Sequence, residues 1–374
     1  VNPERLAELF EENFTRFGEL GAAISVWQHG TSVLELHGGF RDAKREIPWT
    51  ADTIVLFWSA TKGLGSACVL HILQERGITL TRRVAEFWPE FGQAGKREIT
   101  LAQLLSHQAG LCAFDEAVDV TNYPAVIAVL EKQAPLWPPG TAHGYHARTF
   151  GFLLDELVRR IAGGTLSEYW REIFADPLEL DIWIGLPDSE QGRVAAIYPA
   201  RAGGVAAPAA FYRDLATPGT LARRAFTSPR GLHAVSSMNT QENRAKPIVS
   251  FGGIGSARSL AKFYAMLASD GELDGRRFFT PEIIAQMTTM LASGLDLVFQ
   301  IPTAFSAGFM KDPPDATRRI FGPSPRAFGH PGAGGSHAFA DAENAISFAY
   351  VMNQMEQSLL PNEKSLRLVD AVYG

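Results

Sequence analysis

The chain predicts an α/β (α+β) protein: one antiparallel sheet flanked by helices, with a second, mostly helical lobe beside it. Three observations carry that expectation. The 374 residues exceed the usual span of one hydrophobic core. Runs rich in β-formers lie near both ends of the chain, and the stretch between them reads as helices set among Pro- and Gly-rich loops. Strands from both termini imply a single sheet that the end of the chain completes, with the helical part inserted into it. The expected division is residues 1–77 and 251–374 for the sheet-bearing lobe and 78–250 for the helical lobe.

Each element has its own signal. Residues 3–17 carry Leu6, Leu9, Phe10, Phe14 and Phe17 at spacings of about 3.6, the mark of an amphipathic helix. "AAISVWQHGTSVLELHGG" is two β-rich runs around His29-Gly30, which reads as a hairpin. The apolar run after Ser59 continues as a helix to about Glu75 and stops at Gly77. Further helical segments are "TLAQLLSH", "YPAVIAVLEKQ" and "FGFLLDELVRRIAG", whereas 187–235 has little pattern. From about 251 regularity returns. "SARSLAKFYAMLASDG" is a helix ending at Gly271, and "PEIIAQMTTM" is a helix with Pro281 in its first turn. "SHAFA" and "AISFAYVMN" flank "DAEN" as a hairpin, and a last helix spans about 362–371.

Composition narrows the function. Hydrophobic content of 46% with 20% charged residues is that of a soluble globular protein. A net charge of −6 offers no basic footprint for nucleic acid. No apolar run reaches the roughly 18–20 residues of a membrane span. The two cysteines, Cys68 and Cys112, form no disulfide framework and no CxxC pair. No leader pattern precedes "VNPERLAELFEENF", so the expected location is cytoplasmic.

Chemistry enters at "FWSATKGLGSACVLHIL". Ser59 and Lys62 stand at i and i+3, so on a helix both side chains share a face. A serine at a helix N-terminus lies at the positive end of the dipole, which favours an alkoxide or oxyanion. A lysine in so apolar a run loses hydration unless its charge is paired or shed, and a neutralised lysine can act as a base toward the hydroxyl. Taken alone, the pair also fits an N-capping serine beside a snorkelling lysine. Gly63 and Gly65 just after Lys62 point to close approach by another element.

Five segments in order give the pair a context. "SATKGLGSACVLHILQERGITLTRRVAEFWPEF", "ITLAQLLSHQAGL", "WPPGTAHGYHARTFGFLLDELVRRIAGG", "FGGIGSARSLAKFYAMLASDG" and "AFGHPGAGGSHAFADAENAISFAYVMN" span most of the chain. Together they resemble the serine β-lactamase and penicillin-binding-protein superfamily, its class C-like branch, and most closely in motif the family VIII carboxylesterases. The resemblance implies Ser59 as acyl-accepting nucleophile and Lys62 as its proton partner. It implies Tyr145 as general base and acid, its phenol acidified by the lysine cation. The backbone N–H groups of Ser59 and Ala333 would hold the oxyanion. Trp58, His146, His330 and Gly332 are the expected substrate contacts. No metal or organic cofactor is implied.

Two departures from the family pattern shape the substrate. Where β-lactamases have Tyr-x-Asn this chain has Tyr145-His146-Ala147, and where they have Lys-Thr-Gly it has His330-Pro331-Gly332. The groups that read an amide and a carboxylate are thereby lost, so the expected activity is hydrolysis of small-molecule carboxylic esters. A β-lactamase, a D-Ala-D-Ala carboxypeptidase or other amide hydrolase, an acyltransferase, and a catalytically silent binding protein are the alternatives. The last is disfavoured by the joint presence of Ser59, Lys62 and Tyr145. Ser336 in "GGSHA" lacks the second glycine of a nucleophile elbow. His143 and His146 have no third ligand at metal-binding spacing. His107 in "LLSHQAGL" reads as a residue that orders its loop.

Overall fold

The computed structural model describes residues 1–201 and 209–374. Residues 202–208, part of the patternless stretch 187–235, lie outside the described residues. Asn2 caps the first helix, α1 (Pro3–Thr15), by accepting from the Arg5 N–H, and Leu6, Leu9 and Phe10 form its buried stripe. Strands β1 (Gly21–Gln28) and β2 (Thr31–Gly39) follow. His29 and Gly30 between them have φ of 51° and 71°, the left-handed pair that a two-residue turn needs to match the twist of its strands.

Next come the two-residue strand β3 (Val55–Leu56) and the long helix α2 (Thr61–Glu75), joined by a 3-10 turn at Trp58–Ala60. Every residue of α2 from Thr61 to Leu70 is buried. The middle of the chain supplies α3 (Leu101–Leu105), α4 (Tyr123–Lys132), α5 (Phe150–Ala162) and α6 (Leu166–Trp170). After these come a short strand β4 (Ile182–Ile184) and helices α7 (Ala209–Ala216), α8 (Leu221–Thr227) and α9 (Gln241–Arg244). The last third holds β5 (Gly253–Gly255), α10 (Ala257–Ala268), the hairpin β6 (Glu272–Leu273) and β7 (Arg276–Arg277), and α11 (Pro281–Thr288). Six strands then complete the sheet: β8 (Ala292–Leu295), β9 (Pro302–Phe305), β10 (Met310–Lys311), β11 (Ala327–Pro331), β12 (His337–Asp341) and β13 (Ile346–Met352). Helix α12 (Glu363–Tyr373) closes the chain.

The main sheet runs β2-β1-β13-β12-β11-β10-β9-β8, antiparallel throughout. The last strand lies beside the first, with Ser25 opposite Ala349, so the sheet is closed by both ends of the chain as expected. Helix α10 packs on β1, β12 and β13, and α1 packs on α12. A second sheet, β3-β5-β4, was not legible in the sequence: "FGGIGS" begins with a strand, and β4 pairs with it from within 78–250. No helix among the described residues is long and apolar enough to cross a membrane.

Close approach to α2 explains its glycines: a Cβ on Gly63 would stand 2.4 Å from the Tyr264 hydroxyl, and one on Gly65 2.7 Å from Val249. Gly151 on α5 is closed in by backbone: a Cβ there would meet the backbone nitrogen of Ser250 at 2.2 Å. Gly151→Ala gains about 1 kcal/mol of helix propensity. Overpacking against backbone that has no rotamer to yield costs about 1–3 kcal/mol or more. The cost wins, and the variant should unfold at lower urea concentration than the wild type.

Candidate active site

The turn that carries Ser59 is held under strain. Trp58 has φ of 49°, a left-handed conformation that costs a bulky residue about 1–3 kcal/mol and persists only when its surroundings fix it. Thr61 fixes it: its hydroxyl donates to the Trp58 carbonyl and accepts from the Gly253 N–H at 2.8 Å, joining the turn to β5. Ser59 is left half-exposed at the mouth of α2.

One turn further, Lys62 is fully buried. Its Nζ lies 3.2 Å from Ser59 Oγ and donates to the carbonyls of Ala147 at 2.8 Å and Ser250 at 2.7 Å. Burial, with the Arg148 guanidinium adding to it, pushes the ammonium well below the usual lysine value of 10.5. A neutral amine has two N–H groups and one lone pair. The two carbonyls take the N–H groups, which leaves the lone pair for the Ser59 hydroxyl.

Tyr145 is buried beside them, with the Lys62 nitrogen over its ring face, 4.9 Å from the centroid. Burial raises its phenol above the ordinary tyrosine value, contact with the Ser59 hydroxyl offsets part of the rise, and the Asp296 charge adds to it. Burial thus acts on the two groups in opposite directions, driving Lys62 toward the neutral amine and Tyr145 toward the phenol.

Asp296, which sequence reasoning missed, holds Tyr145 in position. Its buried Oδ1 accepts from the backbone N–H groups of Tyr145 at 3.1 Å, Val298 at 2.8 Å and Phe299 at 2.9 Å. Its Oδ2 accepts from the Thr303 hydroxyl at 3.1 Å, which also meets His143 Nε2 at 2.9 Å. The Phe299 ring stacks on Tyr145 at 4.6 Å. The signal available in the sequence was a lone carboxylate between Leu295 and Leu297 in an apolar run.

The histidines divide. His146 is buried with both ring nitrogens engaged: Nδ1 meets the Gly144 carbonyl at 2.7 Å, and Nε2 accepts from the Leu111 N–H at 2.9 Å. Burial pushes it down to about 4. The expectation that His146 touches substrate is corrected, because no nitrogen is left to offer. His107 accepts from the His146 backbone N–H at 3.1 Å and so orders the loop. His330 on β11 does line the cleft; its Nδ1 bonds the Pro331 carbonyl at 2.8 Å. Burial, then the charge of Lys62, pushes it down to about 3, so it is a neutral imidazole.

After β11 the chain turns at Gly332, whose Cβ would stand 2.1 Å from the Phe57 carbonyl oxygen. Only glycine lets this loop press so close to the Ser59 turn. The Gly332 N–H donates to the Ser336 carbonyl at 2.7 Å, and Ser336 itself is buried under the loop, away from the cleft lining. Ala333 is exposed at the loop's tip. Among the described residues, neither its backbone N–H nor that of Ser59 donates to another protein group.

Ser59, Tyr145, His330, Gly332 and Ala333 line one cleft of about 250 Å³. Trp58 does not; its half-buried ring lies 6.3 Å from that of Phe251, and the expectation of substrate contact is corrected. The opposite wall is apolar and comes from the patternless stretch: Phe211, Tyr212 and Leu215 on α7 and Phe226 on α8, joined by Phe299. The hollows of about 420 Å³ beside α1 and about 310 Å³ beside Met310 contain no serine–lysine pair.

This geometry has known counterparts. The family model described as Beta-lactamase matches residues 8–371. The chain belongs to the beta-lactamase family. Among its relatives, the Esterase/beta-lactamase LipL of Mycobacterium tuberculosis is 33% identical over 353 residues, 92% of this chain and 79% of that protein. A solved family VIII carboxylesterase superposes with a TM-score of 0.88 at 36% identity, covering 99% of this chain and 96% of its own. A penicillin-binding protein homologue from Caulobacter crescentus gives 0.87 at 38% identity, covering 100% and 98%. As a beta-lactamase family member, the protein is a serine hydrolase.

Asp296→Ala should expose the dependence of Tyr145 on its anchor. Three backbone N–H groups lose their acceptor in the interior, a destabilisation of about 3 kcal/mol or more. Thermal unfolding should fall accordingly, and kcat should drop in the variant that remains folded at low temperature.

Proposed function

We propose that the protein is a carboxylesterase working through an acyl-enzyme on Ser59, in a cleft between a sheet-bearing lobe (1–77 and 251–374) and a helical lobe (78–250). The observation that carries this reading is the buried Lys62 amine, whose two N–H groups are taken by carbonyls and whose remaining position faces Ser59 Oγ at 3.2 Å. The neutral amine accepts the Ser59 proton as the oxygen attacks the ester carbonyl. The N–H groups of Ser59 and Ala333 receive the oxyanion. As the intermediate collapses, the Tyr145 phenol gives its proton to the departing alkoxide and regains one from Lys62. Water then attacks the acyl-enzyme, losing its proton to the same pair, and Ser59 leaves protonated.

Esters are favoured over β-lactams and peptides by what surrounds Ser59. A neutral imidazole stands where the family motif has an ammonium, and the asparagine amide after Tyr145 is replaced by Ala147. The cleft wall of Phe211, Leu215, Phe226 and Phe299 suits an uncharged, apolar chain. The carboxylesterase name of the family VIII neighbour agrees with this reading, and the name of LipL gives both esterase and beta-lactamase.

p-Nitrophenyl butyrate and nitrocefin, assayed side by side, test it. Wild-type protein should turn over the ester far faster than nitrocefin, and Ser59→Ala should lose ester turnover by about a thousand-fold or more. Comparable nitrocefin turnover would favour a β-lactamase, and ester turnover that survives the mutation would exclude Ser59. Because Lys62 must be unprotonated to act, kcat/KM should rise with pH through one ascending limb centred well below 10.5. Removing the positive neighbour in Arg148→Met raises the proton affinity of Lys62, so that limb should move to higher pH.

A further inference from the structure

Two hollows meet at β10, and together they carry an inference that rests on the esterase reading and specifies the length of its substrate. The cleft of about 250 Å³ at Ser59 and the hollow of about 310 Å³ beside Met310 are separate spaces. Among the described residues, Met310 and Leu360 line both, so they form the partition between them. Met310 is buried on β10, opposite Gly329, the neighbour of His330 on β11. Leu360 is half-buried in the segment that joins β13 to α12. That segment is tied near both ends. The Glu356 N–H donates to the Gly334 carbonyl at 2.9 Å, and the Asn362 side chain caps α12 by accepting from the Lys364 N–H at 3.1 Å.

The second hollow suits an alkyl chain. Ile301, Pro302, Pro313, Ala316 and Ile320 line it, and three of its charged side chains are engaged with other groups. Lys311 donates to the carbonyls of Pro325 and Ala327, each at 2.9 Å. Asp312 accepts from the N–H groups of Ile320 at 2.7 Å and Phe321 at 3.1 Å. Arg318 pairs with Glu363 and Asp370, and Asp315 is exposed to solvent. Small-molecule sites span about 300–1,000 Å³. The cleft alone falls short of that range, and the two spaces joined fall within it.

We propose that Met310 and Leu360 set the longest unbranched alkyl arm that the cleft accepts, by closing it against the second hollow. Shortening either residue lets the arm run on into that hollow, with no change at Ser59, Lys62 or Tyr145.

Two ester series on the full chain test this. p-Nitrophenyl butyrate to decanoate lengthens the acyl arm, and ethyl to octyl butyrate lengthens the alcohol arm. In the wild type, kcat/KM should fall once an arm outgrows the cleft. Each methylene newly buried is worth about four-fold in kcat/KM. In Leu360→Ala, and independently in Met310→Ala should the first variant fail to fold, the long-to-short ratio should therefore rise by about ten-fold or more in one series. The series that responds identifies the arm that reaches the partition. Ala316 lines the hollow and not the cleft. Adding Ala316→Trp to Leu360→Ala fills the hollow and should return the ratio toward that of the wild type, which a general loosening of the cleft would not do. Ratios unchanged in both series, a gain that persists with Ala316→Trp, or a wild-type profile that rises through the longest esters would each overturn the proposal. In those cases p-nitrophenyl butyrate turnover that depends on Ser59 leaves the esterase reading standing. Turnover of no ester by the wild type would overturn both.

Discussion

The buried amine of Lys62 is the constraint around which the site is built. Its two carbonyl partners come from distant parts of the chain, Ala147 just after Tyr145 and Ser250 just before β5. Ser250 extends the tie, donating its hydroxyl to the Arg148 carbonyl at 2.6 Å and accepting from the Gly151 N–H at 2.8 Å. Three segments thus converge on one nitrogen. Burying an amine costs several kcal/mol unless its hydrogens are bonded, and the two carbonyls offset that cost only while all three segments stay in register. The burial that locks the fold here is also what lowers the proton affinity of the amine.

The same low dielectric acts on everything nearby. His107, His146 and His330 are each pushed downward by burial, and His107 also by its neighbours His146, His330 and Lys62. Several groups able to carry positive charge share one interior, and each disfavours the charging of the others. The buried carboxyl among them, Asp296, is held by three backbone N–H groups and a hydroxyl rather than by an ammonium. Tyr145 is therefore anchored through its backbone N–H to the Asp296 carboxylate and by the stacked Phe299 ring.

What the sequence disclosed follows from where the physics is local. Two β-rich runs and the His29-Gly30 turn were enough for the β1–β2 hairpin, and "DAEN" between two strands was enough for β12–β13. Helices α1, α5 and α10 were similarly legible, with ends displaced by one to three residues: α1 stops at Thr15, α5 at Ala162, and α10 runs from its Ser256 cap to Ala268. Ser59 and Lys62 stood out because a lysine inside an apolar helix is conspicuous by itself. The three-residue strands β4 and β5 were not legible, since their pairing is entirely long-range. Nor was the aromatic wall: α7 and α8 are short, and Phe211 and Phe226 gain meaning only when packed against Phe299. Asp296 was hidden for the same reason, being an ordinary acidic residue until its partners are known. Trp58 and His146 misled because adjacency to Ser59 and Tyr145 in sequence does not say which way a ring turns.

Replacing an ammonium by His330 changes the currency of recognition in the cleft. A hydrogen bond between an ammonium and a substrate carboxylate is worth about 1.5–3 kcal/mol net. Burying a butyl-length chain against Phe211, Leu215, Phe226 and Phe299, at about 0.8 kcal/mol per methylene, is worth roughly the same. The two kinds of site therefore reach similar affinity by different means, and a modest set of residues decides between them. Here both decisions go one way: the imidazole is neutral and the wall is apolar. In the proposed reaction, acyl transfer from Ser59 needs neither of those groups, so the arrangement around Lys62 can stay fixed while the walls of the cleft set what is cleaved.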